Sequence, residues 1–298
     1  MKIAIIGGGS LGLLFSYYLG FQNEVCIYTR TKEQADEITK NGLHLIKDGI
    51  ALQPLKIAAA GIQDWRGKEQ VTIVAVKQYQ LSGLMEELKA NVEDSILFLQ
   101  NGYSHIEMIS EIQAQNIFVG SVEHGVVRVN DYTVQHNGSG VTRTAVFRGE
   151  SHLLRELAKN APADFPVLLE PDYNEMLIKK LVVNAVINPL TSVLQVRNGE
   201  LVDNPFYFEI FKQLFLECAL VLGLDQEEVY LQNLITVCKK TEYNHSSMYK
   251  DMENGRPTEI DAILGYLLEL SKNKKMKAPL IHNYYHCIKG KEQEREGG

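Results

Sequence analysis

Lys180, Asn184 and Asn188 stand four residues apart inside the apolar stretch "IKKLVVNAVINPLTS", residues 178 to 192. At roughly 100° per residue, positions i, i+4 and i+8 drift by only about 40° per step, so on a helix they form one stripe about 12 Å long. Leu181, Val182, Val183, Val186 and Ile187 cover most of the remaining circumference, which argues that the stripe is buried rather than a solvated face. A buried cation and two buried amides need partners. Pro189 strengthens the case, because inside a helix it cannot bond the carbonyl of Ala185 and leaves an acceptor free at about the same level. The pattern suits a helix facing a ligand; the plain alternative is a solvated helix face.

A second set of residues suits a phosphate ligand. Gly7, Gly9 and Gly12 in "GGGSLG" spell G-x-G-x-x-G between a strand-like run, "KIAII", and a helical one. In that setting the glycines permit a tight turn, close backbone approach to a pyrophosphate and close helix packing, and the helix N-terminus faces the phosphates. The next strand ends in "IYTRTK", where an NAD-selective site normally carries Asp or Glu. Arg30 stands there instead and suits a 2′-phosphate, so NADP(H) is expected; the plain alternative is a solvated surface arginine. Lys77 and Asn101 follow the strand-like runs "VTIVAV" and "SILFLQ", at the strand ends where doubly wound sheets bind ligands, though either suits an ordinary loop.

A third set lies further on, in "NHSSM" (Asn244 to Met248) and "RPTEIDAI" with Glu259 and Asp261. Two residues apart on a helix diverge by about 200°, so one carboxylate should face a cleft and the other water. Periodicity alone slightly favours a carboxylate that merely complements the helix dipole. "HNYYH" spaces His282 and His286 by four without the Glu of a zinc-protease motif, and reads as an exposed helix face.

The elements that must position these residues divide into two halves. The chain has 298 residues, 45% hydrophobic and 22% charged, which suggests two domains with substantial cores. A net charge of −7 without a basic stripe gives no footprint for nucleic acid. Four scattered cysteines, Cys26, Cys218, Cys238 and Cys287, suggest neither a zinc site nor a disulfide framework and fit a reducing cytosol. The glycines interrupt the N-terminal apolar run, which reads as folded structure rather than a secretory signal, and no later run reaches the length of an uncharged membrane span.

Strands are expected at 2–6 and 24–28, helices at 10–20 and 32–42, and a hairpin over "LHLIKDGIALQPLKIAA" turning at Asp48-Gly49. Buried strands follow at "VTIVAV" and "SILFLQ" with one helix, "YQLSGLMEELKA", between them. Further strand-like segments lie within 116–148, then a helix near 151–160 and a last strand "PVLLE". Beyond about residue 170 only helical periodicity remains, ending in a frayed tail, "KGKEQEREGG". This predicts an α/β architecture: a Rossmann-type doubly wound sheet over residues 1–170, then an all-helical domain over 171–298.

Taken together, "GGGSLG", "YTR", "VAVKQYQ", "LQNG", "KLVVNAVINPLTS", "NGEL", "NHSSM" and "TEID" occur in an order that resembles the ketopantoate reductase (2-dehydropantoate 2-reductase) family over nearly the whole chain. The resemblance implies NADPH-dependent reduction of a 2-oxo acid, ketopantoate, in pantothenate and coenzyme A synthesis. It implies that Gly7, Gly8, Gly9, Ser10, Leu11, Gly12, Arg30, Lys77 and Asn101 bind NADP(H), with Gly125 and Glu259 beside it. It also implies that Lys180 is the catalytic acid, and that Asn184, Asn188, Asn198, Asn244, Ser247 and Glu259 surround the substrate. The implied protein is cytoplasmic, binds neither nucleic acid nor membrane nor metal, and has a homodimer as its candidate assembly. Two departures bear on the substrate. Ile178 stands where the family often has Trp, and Gly125 in "EHGVV" where it often has Ala; "NGSGVTRTAVFRG" also fits the family's glycine pattern loosely.

The implied chemistry is self-consistent. Hydride addition to a ketone makes an alkoxide, and a cation at that oxygen stabilises charge present mainly in the transition state and can deliver the proton. Two other readings stay open: a related reductase of another 2-oxo acid or an imine, and a non-catalytic NADP(H) sensor. A sensor has no need of Lys180, Asn184 and Glu259.

Overall fold

The computed structural model describes residues 1–296. Its chain divides into two compact units. A sheet unit comprises Met1–Gln100 and His105–Met176, and a helical unit comprises Asn101–Ser104 and Leu177 onward.

The sheet unit carries twelve strands: β1 (Lys2–Ile6), β2 (Glu24–Thr29), β3 (His44–Lys47), β4 (Ile50–Ala51), β5 (Ala58–Gly61), β6 (Val71–Val74), β7 (Ser95–Phe98), β8 (Asn116–Val122), β9 (Gly125–Arg128), β10 (Thr133–Gly138), β11 (Thr142–Arg148) and β12 (Val167–Leu169). The main sheet runs β12-β11-β8-β7-β6-β1-β2-β5. From β5 to β8 every pairing is parallel, and only β11 against β8 is antiparallel. Taken in chain order, those six parallel strands sit 3-2-1-4-5-6, the doubly wound arrangement, and the order reverses between β1 and β6. Strands covered on both faces read as unbroken apolar runs. All four residues of both β6 and β7 are accordingly buried, as are the last four of β1.

A second, four-stranded sheet, β4-β3-β10-β9, draws its strands from two places in the chain. Its β3–β4 hairpin turns at Asp48 and Gly49, both at positive φ (49° and 78°), as expected from the sequence. The rest of that expected hairpin is corrected. Ala58–Gly61 leaves it to pair with β2 as the edge of the main sheet. The single helix expected between β6 and β7 is also corrected, to two short helices, Gln78–Leu81 and Met85–Asn91, joined by a 3-10 turn.

The helical unit has no strand among its described residues. Its helices begin and end on local chemistry. The Asn204 side chain accepts from the amides of Phe206 and Tyr207 ahead of Pro205, and Gly223 at φ 73° ends the same helix at Leu222. Around it, Leu181, Val182, Ala185 and Val186 share one core with Phe211, Phe215, Met248, Ile260 and Ile263.

Two further points bear on the sequence reading, and the second corrects it. The helix Tyr173–Leu194 is long and apolar enough to cross a membrane, with a mean hydropathy of 1.4, but 67% of that stretch is buried inside the protein, as suits a core helix. "KGKEQERE" is not frayed: it is the last part of the helix Pro279–Glu296, and only Gly297 and Gly298 of the expected tail lie outside the described residues.

Candidate active site

In the sheet unit, β1 runs straight into the glycine turn and the turn into the helix Ser10–Leu19. Gly7 has φ 113°, and a Cβ there would meet Val76 Cγ1 at 2.8 Å. A Cβ on Gly12 would lie 1.8 Å from the Gly7 carbonyl oxygen, so strand and helix meet there without room for any side chain. Gly9 is different: nothing lies within 4 Å of its Cβ position. The carbonyl of Gly8 is held by two donors, Gln34 Nε2 at 2.7 Å and Arg128 Nη1 at 3.1 Å. No side chain caps the helix at Gly9, and no acidic residue sits in its first turn, where Ser10 and Leu11 are half-buried. The free amides and the open space at Gly9 make a cradle for an anion.

The other expected cofactor residues are spread around that turn. Arg30 follows β2 and is exposed, ahead of Thr31, whose side chain caps the next helix on Gln34. Lys77 is half-buried and begins the helix after β6, its amide donating to Gln80 Oε1 at 3.2 Å. Gly125 opens β9, in the second sheet, where a Cβ would be 3.3 Å from the amide of Gly138.

In the helical unit, Lys180, Asn184 and Asn188 lie on the uninterrupted helix Tyr173–Leu194, which carries Pro189 in its interior. Lys180 is half-buried; Asn184 and Asn188 are 7% and 6% exposed. One turn beyond Asn188, the Thr191 hydroxyl donates to the Ile187 carbonyl at 2.8 Å and lies 2.8 Å from Ser246 Oγ. Ser246 in turn caps the helix Ser247–Glu253 by accepting from Tyr249. The segment before it is held from the other side. The Asn198 amide nitrogen of the backbone donates to Asn244 O at 3.0 Å, and Asn198 Nδ2 donates to Thr241 Oγ1 at 2.9 Å. Thr241 gives its own proton to Val237 O, which fixes the Asn198 side-chain amide and leaves Oδ1 buried without a partner. Asn244 and Ser247 themselves are exposed.

Glu259 and Asp261 part company as expected. Glu259 is 7% exposed and accepts from Asn101 Nδ2 at 2.9 Å, while Asp261 faces solvent. Asn101 reaches it because Gly102, at φ 85°, packs where a Cβ would lie 2.4 Å from Ala262 O, and because Tyr103 meets the Tyr266 ring at 5.4 Å. A π-helical turn, Asp261–Gly265, follows directly. His282 and His286 are exposed, and no cluster of metal-binding side chains occurs among the described residues.

Family models for ketopantoate reductase PanE/ApbA match this chain over residues 3–149, and for its C-terminal part over residues 172–292. The 2-dehydropantoate 2-reductase of Bacillus subtilis (strain 168) is 40% identical over 98% of each chain. The chain belongs to the ketopantoate reductase family. It is an oxidoreductase of this type. The 2-dehydropantoate 2-reductase of Listeria innocua is 37% identical over 99% of this chain and 98% of its own. Among solved structures, that of a probable 2-dehydropantoate 2-reductase from Bacillus subtilis superposes with a TM-score of 0.91 at 39% identity, covering 98% of this chain and all 100% of that one. A D-mandelate dehydrogenase in complex with NADH and anilino(oxo)acetate, 22% identical over 99% of both chains, shares the fold with a TM-score of 0.87.

In this chain the residues picked out from sequence are met in three groups: the glycine turn, the Lys180 stripe, and the Asn101–Glu259 pair. Gly125 lies on the same strand as Arg128, which reaches Gly8. Sequence reading missed Gln34, Arg128, Thr191, Thr241 and Ser246. Ser246 alone left a signal, as a serine opening a helical run; the others act on partners far away in the chain.

Proposed function

We propose that this protein reduces 2-dehydropantoate to pantoate with NADPH, in the cytoplasm, on the route to pantothenate and coenzyme A. The observation that carries the reading is the stripe on Tyr173–Leu194: a half-buried ammonium one turn from a buried amide, with a second amide beyond it. Neutral amides on the same face can orient a lysine or a substrate. Lys180 donates a proton to the carbonyl oxygen as charge develops there. Asn184, Asn188, Asn198, Asn244 and Ser247 hold the 2-oxo acid, and Glu259 accepts from its hydroxyl.

The glycine turn fits the pyrophosphate of a dinucleotide, since it combines unfilled space at Gly9 with uncapped helix amides. NADPH, when bound, supplies the hydride. Gly7 to Gly12 would hold its phosphates, Arg30 its 2′-phosphate, and Lys77, Asn101, Gly125 and Glu259 the remainder. Four free thiols suit a reducing compartment. A homodimer is the assembly to test by light scattering.

A panel of 2-oxo acids followed by NADPH absorbance tests the whole reading. 2-Dehydropantoate should give the highest kcat/KM, ahead of 2-oxoisovalerate, which lacks its hydroxymethyl group. A preference for another oxo acid would transfer the chemistry to a different substrate, an outcome that the departures at Ile178 and Gly125 leave open. No turnover with any of them would remove the enzyme reading.

A further inference from the structure

The carboxylate of Glu259 is buried between two residues that are both gripped by the last helix. Glu292 Oε1 accepts from the Thr258 amide at 2.8 Å and from the Thr258 hydroxyl at 2.7 Å. The same hydroxyl oxygen accepts from the amide of Ile260 at 3.2 Å, so the turn carrying Glu259 is closed around it. On the other side, Asp261 Oδ1 accepts from Tyr285 Oη at 2.7 Å, and Asp261 Oδ2 meets Lys289 Nζ at 3.1 Å. Lys289 also meets Glu292 Oε2 at 3.0 Å. Tyr285, Asp261, Lys289, Glu292 and Thr258 thus form one chain of charged and hydroxyl groups that brackets Glu259 at positions 258 and 261. Thr258 is 5% exposed, and the Glu292 side chain 17%.

The chemistry is uneven along that chain. The Asp261 end is largely solvated, with side-chain exposures of 65% for Asp261 and 40% for Lys289, so its ion pair is screened. At the Glu292 end, one carboxylate oxygen takes two donors of a buried residue, and charge-assisted bonds of this kind are the stronger ones. A backbone amide and a hydroxyl of the same residue leave the Thr258 peptide little freedom to rotate. The residue directly after it is Glu259.

We propose that Glu292 is a positioning residue for Glu259, so that the end of the helix Pro279–Glu296 is part of the active-site machinery. This rests on the reading that Glu259 serves the reduction of a 2-oxo acid. Without the clamp, the Pro257–Thr258 peptide and the Thr258 side chain lose that hold, and the Glu259 carboxylate loses its set direction toward Asn101.

A double-mutant cycle in the full-length protein tests this, using whichever 2-oxo acid the wild type reduces best. Glu292→Ala should lower kcat/KM roughly tenfold in the wild-type background and by less than about twofold when Glu259→Ala is already present. Glu292→Gln, which keeps an acceptor oxygen for Thr258, should recover part of the loss. Thr258→Val, which loses the hydroxyl bond to Glu292 and keeps the amide one, should show part of the Glu292→Ala loss, and Thr258→Ser should behave like wild type, which keeps the test alive if Glu292→Ala folds poorly. Equal losses in both backgrounds, or a Thr258→Val enzyme with normal kcat/KM, would overturn the proposal. If the wild type prefers an oxo acid other than 2-dehydropantoate, the substrate reading falls while the cycle still decides the clamp.

Discussion

The glycine turn of the sheet unit and the segment Thr241–Ser247 of the helical unit solve the same problem in opposite ways. In the turn, the geometry is set by absent side chains: Gly12 is tight against Gly7, Gly9 stands open, and no side chain caps the helix that follows. In the helical unit the backbone is held by side chains, through Thr241 on Asn198 and Thr191 on Ser246, so that polar groups are presented from a frame of hydroxyls. A backbone-built site depends on space, and a side-chain-built site depends on particular functional groups. Deleting a group should therefore be costly in one region, and adding atoms costly in the other.

The largest effect should come from the side-chain site. Lys180→Ala is expected to lower kcat by about 100- to 10,000-fold, the contribution of a positioned acid. NADPH affinity, followed by fluorescence titration, should stay near the wild-type value. Normal single-turnover hydride transfer in this variant would remove Lys180 from the chemistry and erase the contrast.

Next comes Arg30, the side chain proposed to read the 2′-phosphate beside the backbone-built site. Arg30→Ala should weaken NADPH by about 10- to 150-fold, equivalent to a charge-assisted contact of roughly 1.5 to 3 kcal/mol, and leave NADH almost unchanged. Equal losses for both would mean that Arg30 does not read the 2′-phosphate.

Adding a single methyl sharpens the comparison within the turn. Gly12→Ala forces a Cβ onto the Gly7 carbonyl and should cost about 1 to 3 kcal/mol of stability, seen as a lower Tm. Gly9→Ala has room in the protein alone, so its Tm should hold while NADPH binding weakens. A Gly9→Ala protein that binds NADPH normally would show that the open space is not the phosphate cradle.

The smallest effect separates the two units by acid. Burial pushes His105 and His124 down to about 4, and His136, bonded to Tyr18 and 3.1 Å from His124, is lowered as well by burial and then Lys47. All three lie in the sheet unit. Their folded pKa values lie below the unfolded value near 6.5, so the unfolded chain takes up protons more readily. The stability they contribute is complete above about pH 6.5 and drains as pH falls toward 4. From pH 7 to pH 6 the loss should be under about 1 kcal/mol per histidine. Hydrogen exchange should show amides of the sheet unit losing protection before those of the helical unit, and the reverse order would contradict the assignment.

How much of this could be read from the sequence depends on what each element uses. The parallel strands announced themselves as apolar runs, and the glycine turn as a motif at a fixed place after the first of them. The edge strand Ala58–Gly61 did not, because "AAAG" has neither β-branched residues nor alternation and is strand only by pairing with β2. The Lys180 stripe was visible from spacing, since one helix fixes the relation among its own residues. The carboxylate that holds Thr258, next to Glu259, was not, because Glu292 lies 34 residues from Thr258 in a segment whose charges resemble a solvated tail. Local rules describe what a residue offers. They do not say which distant partner takes the offer up.

The four residues Asn101–Ser104 belong to the helical unit although sheet-unit chain both precedes and follows them. The polypeptide therefore passes from one unit to the other three times, after Gln100, after Ser104 and after Met176. A gene cut at codon 177 would not yield two self-sufficient halves: the helical fragment would lack the amide that Glu259 accepts from and would carry a notch at Ala262 where Gly102 belongs. The severed sheet fragment would carry that missing piece as a loop with nowhere to dock. A single cut between the units therefore parts residues 101 to 104 from the helices they serve.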